Sequence, residues 1–199
     1  MVVYSSLVSL YNIVMNKIIL ASASPRRKEI LEKMGLEFEI IVSDYEEILD
    51  NSDFTYEKIE ELAYNKAKAV SDKLLSSCII ISADTVVVLE GEILGKPKDE
   101  ADAILMLKRL SGNKHCVVTS ICLINPLNSI KKLRSTTSYV EFEVLDEELI
   151  RSYVQKYNPL DKAGSYGIQE LPEGFIKTVE GSFENIIGLC PLAVQKILG

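Results

Sequence analysis

The chain has no tryptophan, one histidine (His115) and only four cysteines among its 199 residues. Structural and catalytic zinc sites need several nitrogen and sulfur ligands, and this sequence has neither a C-x-x-C pair nor a second histidine, so a zinc centre is disfavoured. A metal, if used, would be a hard cation on carboxylates. We interpret the cysteines as buried thiols in a reducing cytoplasm, with disulfide pairing the less favoured alternative. They are Cys78, Cys116, Cys122 and Cys190.

Broad positive charge and long uncharged apolar runs are also lacking. The formal net charge of −7 argues against a nucleic-acid partner or an anionic membrane surface, because both require extended positive potential. No segment reaches the roughly 18 uncharged apolar residues that a membrane span needs. Residues 1–14 are apolar but lack the basic start of a signal peptide, so we interpret them as an upstream extension that is either non-native or a result of where the start site is assigned. Residues 15–199 are then expected to form a single domain.

The chain does contain alternating helix and strand patterns. The apolar, β-branched run 78–88 predicts a central strand covered on both faces, and apolar residues at helical spacing over 59–74 predict the longest helix, capped by Thr55. This alternation predicts an α/β (mixed α+β) fold around a central sheet. Further predicted elements are strands at 18–20, 37–42 and 175–179, a hairpin turn at 125–128, and helices at 25–34, 99–110, 146–157 and 191–198.

The stretch 18–27 predicts an anion site at the end of a strand. Ser24 is a good N-cap and Pro25 suits the first helical position. Unpaired backbone N–H groups, the helix dipole and the guanidinium groups of Arg26 and Arg27 would together attract phosphate. The alternative is that the two arginines are solvated charges on an ordinary helix.

Other polar residues interrupt apolar patterns. Lys66 lies inside the apolar stripe of the longest helix. A lysine at such a position either extends along its stem to water, the slightly favoured interpretation, or pairs with an anion. Asp84 interrupts the run 78–88, and burying it is costly unless it meets a cation; the alternative is that it caps a turn at a strand end. Lys96 stands in a Gly-Lys-Pro turn, and the glycine-rich loop 161–169 is of a kind that often carries function.

Taken together, these residues predict phosphoryl chemistry on a nucleotide. Cations bind phosphate oxygens and stabilise the leaving group, while carboxylates hold a divalent metal or orient water. A P-loop NTPase is disfavoured because no Walker motif is present, and a serine hydrolase because there is no G-x-S-x-G. The cations are Arg26, Arg27, Lys66 and Lys96, and the acids, both expected at strand ends, are Glu47 and Asp84.

Six short motifs occur in order along the chain. They are SASPRR at 22–27, SDYEE at 43–47, NKA at 65–67, ADT at 83–85, GKP at 95–97 and DKAGSYGIQ at 161–169. Any one motif would be a weak signal, but all six together, at suitable spacing, resemble the Maf-like nucleotide pyrophosphatases, relatives of the inosine triphosphatases. The resemblance spans essentially 17–198.

The resemblance implies an elongated, twisted, mixed sheet flanked by helices in two lobes, with the active site in a cleft between them. It implies hydrolysis of a nucleoside triphosphate between the α and β phosphates, with Mg²⁺ or Mn²⁺. Asp84 matches the proton acceptor, and Asp84 and Glu47 would lie near the metal. Gln169 matches the subfamily that acts on dTTP and UTP, rather than the one that acts on 7-methyl-GTP. Modified pyrimidine nucleotides are an open alternative as the substrate. The implied substrate-binding residues are Ser22, Ser24, Arg26, Arg27, Lys66, Thr85, Lys96 and Gln169, with Arg26 and Thr85 also at specificity positions and Arg27 adding charge.

Two other functions stay open at this stage. A non-hydrolytic nucleotide-binding regulator of septum formation would need the phosphate site but not Asp84, and a nucleotidyltransferase would need an acceptor site that the sequence does not show. The chain departs from the usual family pattern at Glu170, where glycine is common, and in the longer segment 188–191. Both departures affect the expected base preference. The partner is expected to be a small-molecule nucleotide, and a homodimer is an open alternative.

Overall fold

The computed structural model describes most of the chain, in the ranges 17–46, 53–74, 77–128 and 130–199. The expectations for residues 1–14 and for Glu47 fall outside these ranges. No helix within them is long and apolar enough to cross a membrane.

The described residues form a seven-stranded mixed sheet with helices on both faces, which confirms the predicted fold class. The strands are β1 (Lys17–Leu20), β2 (Phe38–Ile40), β3 (Cys78–Leu89), β4 (Glu92–Leu94), β5 (Lys114–Asn125), β6 (Ile130–Phe142) and β7 (Ile176–Glu180). The helices are α1 (Pro25–Lys33), α2 (Tyr56–Ser71), α3 (Glu100–Leu110), α4 (Glu147–Tyr157), α5 (Phe183–Ile187) and α6 (Pro191–Leu198).

The sheet has a gap along one edge of its central strand. The order is β2-β1-β3-β5-β6-β7, parallel from β2 to β3 and antiparallel from β3 to β7. On one edge of β3, β1 pairs with residues 78–81 and β4 pairs with residues 87–89. Residues 82–86 of β3, which we call the notch, pair with neither of these strands on that edge. The chain leaves β1 at the notch and turns into α1.

Both faces of β3 are covered, as its continuous apolar run predicts. Even-numbered residues such as Ile80 and Val86 pack on the side of α2, while odd-numbered residues such as Ile81 and Val87 pack on the side of the other helices. Burial of each such side chain stabilises the fold by roughly 1.5–3 kcal/mol. Consecutive residues of β3 at the notch therefore point to opposite sides of the sheet.

Local capping signals place the helix starts where the sequence predicts them. The side chains of Ser24, Thr55, Asp99 and Asp146 each accept a hydrogen bond from the backbone N–H three residues later. A cap of this kind contributes about 1 kcal/mol. The hairpin prediction is also confirmed, because β5 and β6 pair up to Asn125 and Ile130.

Two local expectations differ from the structure, and one short helix had no prediction. A strand is predicted at 37–42, but the observed β2 is shorter, because it is an edge strand that pairs only with the last three residues of the short β1. The loop 161–169 is not wholly irregular: 3₁₀ turns form at Ala163–Ser165 and Ile168–Glu170. Helix α5, of five residues, had no prediction, because a single turn is too short to show helical periodicity.

Candidate active site

A cavity of about 300 Å³ opens at the notch. Its wall combines the β1–α1 turn, the loop after β2, Lys66 of α2, the notch itself, the loop 161–170 and the turn between α5 and α6. Ligand pockets in proteins typically span roughly 300–1,000 Å³, so this one is of suitable size for part of a small molecule. Every predicted site residue within the described ranges lines it: Ser22, Ser24, Arg26, Arg27, Lys66, Asp84, Thr85, Lys96 and Gln169. Glu47, the remaining predicted residue, is outside those ranges.

The β1–α1 turn brings the start of α1 to the cavity. Ser24 caps α1 by accepting a hydrogen bond of 3.4 Å from the Arg27 N–H, and Ser22 Oγ accepts one of 3.2 Å from the Ser24 N–H. Both arginines are half-buried. The helix dipole adds partial positive charge here, so this wall favours an anion.

Arg27 does more than add charge, so that expectation is corrected. Its guanidinium donates to three separate segments: Nε to the Gly188 carbonyl at 3.0 Å, Nη1 to Ser22 Oγ at 3.2 Å and Nη2 to Thr85 Oγ1 at 3.1 Å. These contacts join the start of α1 to the notch and to the α5–α6 turn. The alternative of a merely solvated arginine is therefore wrong for Arg27.

Lys66 and Asp84 form a buried ion pair at the notch. Their exposed fractions are 8% and 3%, and Lys66 Nζ lies directly against Asp84 Oδ1. The expectation that Lys66 extends to water is wrong, because Asp84 is on the face of β3 that packs against α2. The expectation of Asp84 at a strand end is also wrong: β5 pairs with β3 through Asp84 and onward to Val88, and the Lys66 ammonium compensates the buried charge.

Thr85 lies on the opposite side of the sheet from Asp84. Its hydroxyl accepts from Arg27 and shares a 2.9 Å hydrogen bond with the Thr119 hydroxyl, which donates to the Asn185 carbonyl at 2.9 Å. The cavity reaches both residues because the notch leaves this edge of β3 open.

The loop 161–170 closes the cavity by packing on β3. The Gly164 N–H donates to the Gly95 carbonyl at 3.0 Å, which joins the loop to the turn that carries Lys96. Gly164 has φ +65°, and a Cβ at this position would lie 2.7 Å from Val87 Cγ2. Only glycine allows both this backbone conformation and this approach.

A buried polar pair lies under the same loop. The Tyr166 hydroxyl and His115 Nε2 share a hydrogen bond of 2.7 Å, and both rings pack edge-on against Phe142. Burial lowers the pKa of His115 to about 4, despite a backbone contact with Asn113 that acts in the opposite direction. Burial also raises the pKa of Tyr166. Both groups are therefore neutral near pH 7.

Sequence reasoning did not select Lys162, which lines the cavity and is only 8% exposed. Its ammonium contacts Asp161 Oδ1 at 2.8 Å and Glu170 Oε2 at 3.3 Å. Burial raises the pKa of Asp161, but the Lys162 contact and the charges of Lys162 and Arg26 outweigh this and lower it overall. The available signal was its position in the DKAGSYGIQ motif, but a lysine beside an aspartate in a polar loop ordinarily indicates a solvated pair.

The described part of the cavity wall includes the carboxylates of Asp84, Asp161 and Glu170. No group of three or more His, Cys, Asp or Glu side chains within those residues is arranged to hold a metal ion. Asp84 supplies a carboxylate at the notch. This is an oxygen donor of the kind that Mg²⁺ and Mn²⁺ prefer.

Comparison with known proteins gives consistent matches. A dTTP/UTP pyrophosphatase of Ruminiclostridium cellulolyticum is 47% identical over 176 residues, which cover 88% of this chain and 91% of the relative. A dTTP/UTP pyrophosphatase of Clostridium novyi is 42% identical over 185 residues, covering 92% and 96%. Among solved structures, a nucleoside-triphosphatase / dITP/XTP pyrophosphatase from Mycobacterium abscessus matches with a TM-score of 0.43 and 19% identity, covering 63% of this chain and 74% of that chain.

The family model for Maf-like proteins matches residues 17–199, which include every described part of the cavity wall. Together with the identity to the two relatives over about nine-tenths of the chain, this match shows that the chain belongs to the Maf-like protein family.

Proposed function

We propose that this protein hydrolyses dTTP and UTP, and modified pyrimidine nucleotides of the same shape, to the nucleoside monophosphate and pyrophosphate. The observation that carries the proposal is a buried carboxylate, Asp84, in the wall of a cavity lined by Arg26, Arg27, Lys66 and Lys96. The relatives named dTTP/UTP pyrophosphatase support the same activity. This reaction would make the protein a house-cleaning enzyme of nucleotide metabolism.

Asp84 acts as the proton acceptor. The oxygen of a water molecule bonds to the α-phosphorus while the bond to the α,β-bridging oxygen breaks, and the Asp84 carboxylate takes the proton of the water. Pyrophosphate leaves with the electron pair of the broken bond. Lys66 holds the carboxylate in place and compensates its charge in an interior where a lone carboxylate would be costly.

The cations at the cavity wall bind the triphosphate. Arg26 and the start of α1 supply guanidinium and backbone N–H donors, and the exposed Lys96 adds an ammonium from another segment of the cavity wall. Ser22 and Ser24 lie beside them. Donors fixed in advance around the leaving pyrophosphate stabilise the charge that develops as the bond breaks.

Mg²⁺ or Mn²⁺ fits this donor set. Mg²⁺ is commonly held by one or two carboxylates together with substrate phosphates, and Asp84 provides one such carboxylate at the notch. We propose Glu47 as the second ligand. When bound, the cation would neutralise part of the negative charge on the phosphate oxygens.

Gln169 recognises the base. Its amide offers both an acceptor oxygen and an N–H donor, which match the alternating donor and acceptor edge of uracil or thymine. A carboxylate at this position could not donate, so glutamine favours pyrimidines. Arg26 and Thr85 contribute to this preference from the other walls of the cavity. We place the enzyme in the cytoplasm, where thiols stay reduced; the homodimer stays a prediction.

The test is pyrophosphate release from a panel of nucleoside triphosphates with Mg²⁺ or Mn²⁺. The wild-type protein should release pyrophosphate from UTP and dTTP in preference to purine triphosphates. Asp84→Asn should lower turnover by about 10²–10⁴-fold, because general base catalysis is lost. Circular dichroism and thermal melting check that the variant folds.

Two outcomes would contradict the proposal. Near-normal turnover in the folded Asp84→Asn variant would exclude Asp84 as the base. Nucleotide binding without pyrophosphate release from any triphosphate would exclude the hydrolase and favour the regulator.

A further inference from the structure

Lys162 is a buried ammonium between two carboxylates. The Lys162 side chain is 8% exposed, whereas those of Asp161 and Glu170 are 66% and 35% exposed. A lysine this deeply buried needs anionic partners, and the contacts at 2.8 Å and 3.3 Å provide them. These two carboxylates therefore compensate the charge of Lys162 within the cavity wall.

The ion pair with Glu170 covers a glycine in the turn 167–170. A Cβ on Gly167 would lie 3.0 Å from Glu170 Oε2 and 3.1 Å from Lys162 Cε, so the two side chains pack directly on this backbone. The Gly167 N–H donates to the Tyr153 hydroxyl at 3.1 Å, and its carbonyl accepts from the Glu170 N–H at 2.9 Å. The turn is thus fixed through its backbone and through the ion pair.

Gln169 lies inside this turn, immediately before Glu170. Its own side chain is exposed in the cavity wall, while Ile168, on its other side, is buried in the core. The orientation of the Gln169 amide therefore depends on the backbone of the turn. The ion pair can influence Gln169 without touching the nucleotide.

We propose that Lys162 and Glu170 are positioning residues for base recognition, which hold the turn 167–170, and with it the Gln169 amide, in the orientation that binds a pyrimidine. The inference deepens the proposed function and rests on the role of Gln169 in it. The proposal gives a role to the Lys162–Glu170 ion pair, which takes part in neither the phosphate binding nor the proton transfer proposed above.

The two partners contribute unequally. Loss of Lys162 leaves Asp161 and Glu170 as neighbouring carboxylates without their cation, so the turn loosens. Loss of the Glu170 charge leaves Lys162 paired with Asp161, and the effect is smaller. The two substitutions should also be non-additive, because residues in one ion-pair network are coupled.

The experiment is a double-mutant cycle of Lys162→Met, Glu170→Gln and the double variant, read as kcat and KM for UTP and dTTP. Lys162→Met should raise both KM values about tenfold and leave kcat within about twofold, because binding of the base and not the chemical step is affected. The KM values of the double variant should be no higher than those of Lys162→Met. Lys162→Arg should restore most of the affinity, since it keeps the charge.

Inorganic tripolyphosphate, as a competitive inhibitor, separates positioning from phosphate binding. It has no base, so its inhibition constant should stay within about twofold in every variant of the cycle. Lys177→Met serves as the matched control, because it breaks an exposed ion pair with Glu141, 2.7 Å long, outside the cavity wall. Its KM values should equal those of the wild type.

The proposal is overturned if the Lys162→Met substitution raises the inhibition constant of tripolyphosphate by as large a factor as it raises KM for UTP, since Lys162 would then be a phosphate ligand. Additive effects, or a loss of kcat at constant KM, also overturn it. Wild-type protein that releases no pyrophosphate would mark failure of the proposed function instead. Calorimetric UTP binding to the same variants then tests the pair without turnover, and equal dissociation constants for wild type and Lys162→Met reject it.

Discussion

Two lysines of the cavity wall have buried side chains that pair with carboxylates. Lys66 pairs with the buried Asp84, and Lys162 pairs with the more exposed Asp161 and Glu170. Removing one partner of a pair buried on both sides, as Lys66 and Asp84 are, typically costs about 3–5 kcal/mol, because the other charge is left uncompensated. Lys66 and Asp84 each look misplaced in their own sequence pattern, but the pattern does not identify the partner.

His115 gives a residue-level prediction about pH. Burial lowers its pKa from 6.5 to about 4 in the folded protein, so between these values the unfolded chain binds more protons than the folded one. Stability due to this group is therefore complete above pH 6.5 and is lost as the pH falls towards 4. The expected loss is about 3 kcal/mol.

Urea unfolding between pH 4 and pH 7 measures this loss, with His115→Gln as the comparison. Glutamine can keep a hydrogen bond to Tyr166 but does not titrate, so the variant should lack this part of the pH dependence. Carboxylates titrate in both proteins and cancel in the difference. Identical pH dependence in wild type and variant would show that His115 does not titrate as described.

At the scale of elements, Arg27 holds three segments together at the notch. Arg27→Met removes its hydrogen bonds to Ser22, Thr85 and Gly188 and should lower the free energy of unfolding by about 2–3 kcal/mol. Arg26→Met is the matched control on the same helix turn. It should raise KM for UTP while changing the free energy of unfolding by no more than about 0.5 kcal/mol.

Denaturant unfolding and steady-state kinetics on the two variants distinguish these roles. If Arg27→Met were as stable as the wild type, the hydrogen bonds of Arg27 to the three segments would make no net contribution to the free energy of unfolding. If Arg26→Met were the destabilised variant, the roles of the two arginines would be reversed.

The sequence predicts elements well where the signal is local. Ser24, Thr55, Asp99 and Asp146 mark helix starts because a cap depends on residues only three positions away. The notch could not be predicted, since it depends on where β1 and β4 pair along β3, and pairing is a long-range property. The family motifs brought the site residues together, but the partner of Lys66 and the three bonds of Arg27 required the packed structure.

At the scale of the whole molecule, a chain of net charge −7 carries a local cluster of cations at one cavity. This arrangement suits a small anionic substrate and not a long polyanion, which would be repelled by the net negative charge of the chain. The gap in the sheet edge lets two consecutive residues of one strand, Asp84 and Thr85, line a single cavity although their side chains point to opposite faces of the sheet.

The central claim is that water attacks the α-phosphorus of the nucleotide. Hydrolysis of UTP in heavy-oxygen water, followed by mass spectrometry of both products, tests it most directly. We predict that the nucleoside monophosphate gains one labelled oxygen and that pyrophosphate gains none. Label in pyrophosphate or in inorganic phosphate would place the attack at another phosphorus and contradict the mechanism.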